Sequence, residues 1–120
     1  DAVAEGVDPH YLGMGPVPAV RRLLARNELT IEEIDRIEFN EAFASQVVAC
    51  LKELSIPWEK VNGSGGAIAF GHPFGASGAI LVTRLAREME SKNGKYGIAT
   101  LGIGGGLGVA TLFERRMKND

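Results

Sequence analysis

The chain has 120 residues, 45% of them hydrophobic, enough for one domain with a single core and too few for two ordinary domains. Its formal net charge is -2 and its 23% of charged residues carry both signs, so neither nucleic acid nor a polybasic membrane surface is indicated as a partner. Apolar stretches are broken well before the roughly 20 residues needed to cross a bilayer, the opening residues do not form a signal peptide, and the single cysteine excludes an internal disulfide or a multi-thiolate metal site. A cytoplasmic location is the resulting expectation.

From Pro18 to about Glu28 the positions Val20, Leu23 and Leu24 recur at helical spacing, with Pro18 suited to a first turn. Thr30-Ile31-Glu32-Glu33 has the form of a capping box. Residues 34–39 alternate apolar and polar as on a strand, and Phe43, Val47, Cys50, Leu51 and Leu54 return to the helical period over 41–54, which Pro57 terminates. Val61 is expected to end a short strand, and residues 62–75 are too rich in glycine to be regular. Ala79, Val82, Leu85, Ala86 and Met89 predict one apolar stripe on a long helix, opposed by Arg84, Arg87, Glu88 and Glu90. Asn93-Gly94 breaks that helix, and residues 96–103 and 109–114 read as an antiparallel pair joined by a second glycine cluster. The sum is one α/β domain over residues 1–120, a mixed sheet covered by helices.

Three segments carry chemistry. Asn40-Glu41-Ala42-Phe43 lies between a strand end and a helix start, where ligands bind in open α/β sheets; Asn40 there either caps the helix or holds a water or carbonyl oxygen. His72 sits in a glycine-rich loop before a helix, stiffened by Pro73, and is either structural or a general base reached by substrate. Gly102-Ile103-Gly104-Gly105-Gly106-Leu107-Gly108 joins two strands, where free backbone N–H groups can stabilise an oxyanion. That run does not fit the dinucleotide fingerprint, and no Gly-Lys-Ser/Thr triplet supports a phosphate loop. Cys50 lies on an apolar helical stripe and reads as an inert core thiol.

In order, these segments resemble the C-terminal domain of the thiolase family. That domain carries an Asn-Glu-Ala-Phe block, here Asn40 to Phe43, and a glycine-rich block ending in Gly-His-Pro and Gly-x-Ser-Gly, here within residues 65–78. Asp8-Pro9 and residues 13–19 resemble the stretch leading into it, and the second histidine motif of the related ketoacyl synthases is absent. The resemblance implies the three-layer half of a five-layered αβαβα body, whose nucleophilic cysteine belongs to an N-terminal domain. It implies acyl-CoA or acetyl-CoA as substrate, thiolytic cleavage or Claisen condensation of a 3-ketoacyl-CoA as reaction, no further cofactor, no metal, and a homo-oligomer when full length. By likeness His72 would activate the absent cysteine, Asn40 would hold a water in an oxyanion hole, and the Gly104 N–H would serve a second one. Phe43, Leu12 and Met14 would line the acyl and pantetheine channel.

One departure stands out. The family's last block opens with an acid/base cysteine, and this chain has Gly102 there, which cannot titrate. Two readings follow: an acyltransferase whose proton transfer falls to another group or a bound water, or a non-catalytic homologue that binds acyl-CoA or serves assembly. An unrelated glycine-rich phosphate-binding module is the third. The chain is expected to be part of a longer protein and inactive by itself. Asn40, His72 and Gly104 are expected at one edge of the sheet, with any side chain at 102 pointing to the pocket beside His72.

Overall fold

A computed structural model describes residues 1–116. It contains four strands, β1 (Ala2–Gly6), β2 (Arg36–Phe39), β3 (Tyr96–Ile103) and β4 (Leu107–Glu114). The helices are α1 (Pro16–Arg26), α2 (Ala44–Leu54), a single turn α3 (Ala67–Phe70) and α4 (Ser77–Ser91). The strands form one mixed sheet in the order β1-β4-β3-β2, antiparallel except for the parallel pair β2–β3.

Helices α1 and α2 cover one face. Val17, Val20 and Leu23 of α1 and Val47, Cys50 and Leu51 of α2 interlock with Ile37, Phe39 and Ile98 in the larger core. Burying each large side chain contributes roughly 1.5–3 kcal/mol. On the opposite face α4 lays Leu81, Leu85 and Met89 on Ala99, flanked by Leu101 and Phe113. Three layers result, helix, sheet and helix, as the α/β reading required.

Several local expectations change. Helix α1 starts at Pro16, and α2 starts at Ala44 because Phe43 is extended (φ -145°, ψ 141°). Phe43 is therefore 69% exposed at the helix entrance instead of belonging to the core stripe. Val61 makes only an isolated bridge to Ile37, and the glycine-rich segment contains the short α3. Strand β1 has no counterpart in the pattern reading. On α4 the buried side runs through Ser77, Leu81, Leu85 and Met89, while Ala79, Val82 and Ala86 are exposed and Arg84 and Glu88 are half-buried. Two faces were merged into one stripe because Leu85 and Met89 border both. None of the described helices is long and apolar enough to cross a membrane.

Candidate active site

Strands β2 and β3 run parallel, with Phe39 opposite Thr100, so their C-terminal ends share one edge of the sheet. Asn40 follows β2 there, and its backbone N–H still donates to the Thr100 carbonyl at 3.0 Å. The pairing thus fixes the Asn40 backbone, and the residue is only 2% exposed. It does not cap α2, which has no side-chain cap.

The glycine-rich loop is tied to that edge by two neighbours. Asn62, at φ 47°, accepts from the Phe39 N–H at 2.8 Å and donates to the Phe39 carbonyl at 2.9 Å, so its carboxamide pairs with β2 as a strand residue would. It also donates to Glu41 Oε1 at 2.8 Å, and Glu41 Oε2 accepts the Ile68 N–H at 3.0 Å at the start of α3. An added Cβ at 66 would lie 2.2 Å from the Glu41 carboxyl carbon, so a side chain there would push this carboxylate off its partners. The Asn40-Glu41 pair therefore divides its work: one side chain faces the site and the other clamps the loop.

These clamps deliver His72 to Asn40, where Asn40 Nδ2 lies 3.3 Å from His72 Nε2. His72 Nδ1 lies 2.6 Å from Ser77 Oγ, and that hydroxyl donates to the Pro73 carbonyl at 3.1 Å. With its proton so committed, Ser77 accepts from His72 Nδ1–H. The imidazole is then neutral with a lone pair on Nε2, which meets the amide N–H of Asn40. Phe74 stacks obliquely on the His72 ring at 4.8 Å and is 87% exposed. A neutral imidazole of fixed tautomer, flanked by an amide donor and an apolar ring, can take a proton from a thiol or alcohol brought to Nε2.

Gly102 and Gly104 lie at the same edge, at the end of β3 and in the turn after it. Gly104 is exposed, with open space around it, and Gly105 and Gly106 take positive φ of 79° and 82° to turn the chain into β4. An added Cβ at 102 would meet Gln46 Nε2 at 3.0 Å, with Pro16 Cδ at 3.9 Å and the Leu12 carbonyl at 4.0 Å. A side chain there thus points to the α1 and α2 side and not to His72, which corrects the expected direction. Leu12 is exposed beside this position, whereas Met14 is half-buried against the larger core. Cys50 is fully buried, donates to the Gly13 carbonyl at 3.3 Å, and burial pushes its thiol up to about 11. It is no nucleophile.

Sequence reasoning missed Ser77, Asn62 and Gln46. Ser77 leaves a trace, a hydroxyl five residues after a histidine across a proline turn. Asn62 and Gln46 act across long separations that no local pattern reveals.

Over residues 1–115 the chain matches the family described as thiolase, C-terminal domain. It is 60% identical over 115 residues to "Putative acetyl-CoA C-acetyltransferase VraB" of Staphylococcus haemolyticus, covering 96% of this chain and 29% of that protein. The protein of the same description from Staphylococcus aureus strain COL is 56% identical over 115 residues, covering 96% of this chain and 30% of that one. The crystal structure of the Bacillus anthracis acetyl-CoA acetyltransferase superposes with a TM-score of 0.92 at 42% identity, over 94% of this chain and 29% of that one. The chain thus spans less than a third of the length of these relatives.

Proposed function

The chain belongs to the thiolase family as a C-terminal domain, and from that premise we propose that it supplies the general base and the oxyanion donors of an acyl-CoA C-acyltransferase. The nucleophilic cysteine comes from the remainder of a longer protein, and the reaction is thiolytic cleavage or Claisen condensation of a 3-ketoacyl-CoA. The contact between Asn40 Nδ2 and His72 Nε2 carries the reading.

In the cleavage direction, His72 Nε2 removes the proton of the nucleophilic thiol, and the thiolate attacks the 3-keto carbon. The new carbon–sulfur bond forms as the bond between the α and β carbons breaks, leaving an acyl-enzyme and the enolate of acetyl-CoA. One proton has been taken and one is needed at the enolate carbon. The imidazolium of His72 can return it directly or through a water, so the half-reaction balances without a titratable group at Gly102. Free coenzyme A then loses its thiol proton to His72 and attacks the acyl-enzyme carbonyl. The bond between the acyl group and the enzyme sulfur breaks, acyl-CoA is released, and the freed cysteine thiolate takes the proton back from His72. The Gly104 N–H and a water held by the Asn40 side-chain amide stabilise oxyanions, a contribution of about 2.7–4 kcal/mol per well-placed donor.

Thiolysis of acetoacetyl-CoA by the longer protein tests this. His72→Ala is expected to lower kcat by about 10²–10⁴-fold, the usual worth of a positioned base. An unchanged rate would remove His72 from the chemistry. Gly102 favours a second reading, an acyl-CoA-binding homologue without turnover, since neither it nor Gln46 can titrate. Acyl-CoA binding by an inactive wild type would establish that alternative.

A further inference from the structure

Glu38 and Asn40 stand two residues apart at the end of β2 and so face the same side of the sheet, toward α4. Glu38 is 1% exposed, an unusual place for a carboxylate. Its Oε2 accepts from Arg84 Nε at 2.9 Å, while its Oε1 is buried with no protein partner. Leaving a buried carboxylate oxygen unpaired is costly, and native structures usually satisfy such an atom with protein or water.

A cavity of about 80 Å³ supplies the place for such a partner. Glu38, Asn40, Ser77 and Arg84 line it, with Phe70 and Leu81 as apolar walls. Among the described residues nothing donates to Asn40 Oδ1, whose amide nitrogen is turned to His72. Glu38 and Asn40 both line this cavity and each brings an oxygen without a protein donor, which one molecule with two donors would satisfy. Water meets that requirement, and the volume has room for it.

Arg84 extends the arrangement. It pairs with Glu38, donates to the Gly65 carbonyl, and lies over the Phe70 ring at 4.6 Å. Strand β2, the glycine-rich loop and α4 are thereby joined, the same three segments that contribute Asn40, His72 and Ser77.

We propose that Glu38 is a positioning residue for the Asn40–His72 pair: Oε1 holds a water in this cavity that also donates to Asn40 Oδ1, and Oε2 fixes the loop through Arg84. The water keeps the Asn40 oxygen inward and its N–H aimed at Nε2. This inference rests on the catalytic reading of His72, and its test separates the two.

In the longer protein, Glu38→Gln is expected to lower kcat by about ten- to a hundredfold, as small misplacements do, while KM for acyl-CoA changes less than about twofold. A second variant, Glu38→Leu with Arg84→Met, replaces both charges by apolar groups, so its thermal midpoint is expected to return toward wild type while kcat remains low. If kcat recovered together with the midpoint, the pair would be only structural and the proposal would fall. High-resolution crystal structures provide a readout without activity. The wild type is expected to show a water bridging Glu38 and Asn40, and Glu38→Gln a displaced Asn40 amide. A dry cavity, or an unmoved Asn40, overturns the inference even if the enzyme is active. An inactive wild type that shows the bridge would sink the functional reading instead.

Discussion

At residue 102 the chain offers only backbone, and the carboxamide of Gln46 occupies the space in front of it, 3.0 Å from where a Cβ would stand. Gln46 Oε1 is itself buried without a partner, so this amide is held by packing more than by hydrogen bonds. The neighbour is the far end of a flexible side chain and can yield by a few tenths of an ångström. Gly102→Ala is therefore expected to change stability by less than about 1 kcal/mol, since the strain of the contact opposes the entropy lost from the unfolded chain. With Gln46→Ala the contact disappears, and the same substitution should stabilise by about 0.4–1 kcal/mol. Urea unfolding of the four proteins in this cycle measures the coupling, and strict additivity would show that Gln46 does not fill the site. A thiol placed at 102 would have to displace this amide before reaching any substrate.

At the scale of elements, the N-terminus of α1 lies directly on β4. An added Cβ at Gly108 would be 2.0 Å from the Gly15 carbonyl, and one at Gly15 would be 2.6 Å from the Leu107 carbonyl oxygen. Both obstacles are backbone, so neither can step aside without moving the helix. Gly108→Ala should cost about 3 kcal/mol or more, the upper range for overpacking, whereas Gly104→Ala, with nothing within 4 Å, should stay within about 1 kcal/mol. Similar unfolding midpoints for the two variants would contradict this view of the glycine cluster. The sequence shows glycine at both positions and gives no sign of which one is sterically required. Periodicity succeeded where an element has one clear buried side, as in α1, and the β3–β4 hairpin was legible from the glycine cluster between its two apolar runs. It failed for β1, whose partner is distant enough that Ala2 faces Thr111, and the alternation of Glu38 with Ile37 and Phe39 does not reveal that Glu38 is buried. In a strand covered by helices on both sides the second face is buried too. The candidate site was legible as the order of Asn40 and His72. The ties that bring them together, Asn62 to Phe39 and Ser77 to His72, are side-chain contacts that exist only after folding.

Across the whole molecule the two faces of the sheet are unequally covered. Helices α1 and α2 close one side, while α4 alone lies on the other and turns Ala79, Val82 and Ala86 outward. Beside them a shallow cavity of about 180 Å³ lies between α4 and β4, lined by Val82, Ala86, Met89 and Phe113. Single exposed apolar residues are ordinary, but a row of them continuous with such a cavity marks a surface that another body can cover. The relatives are more than three times as long as the matched segment, and a protein of that length would have the chain needed to cover it. Val82 is 36% exposed here, and in this 120-residue chain Val82→Glu should alter stability by less than about 0.5 kcal/mol, because the carboxylate remains in water. In the longer protein the same carboxylate would be taken out of water opposite an apolar neighbour, at a cost of about 2 kcal/mol or more. Chemical denaturation of both lengths, each with and without the substitution, makes the comparison. A small effect in both would show that this face of α4 stays open to solvent in the complete protein, and an equally large effect in both would mean that Val82 already supports the isolated fold.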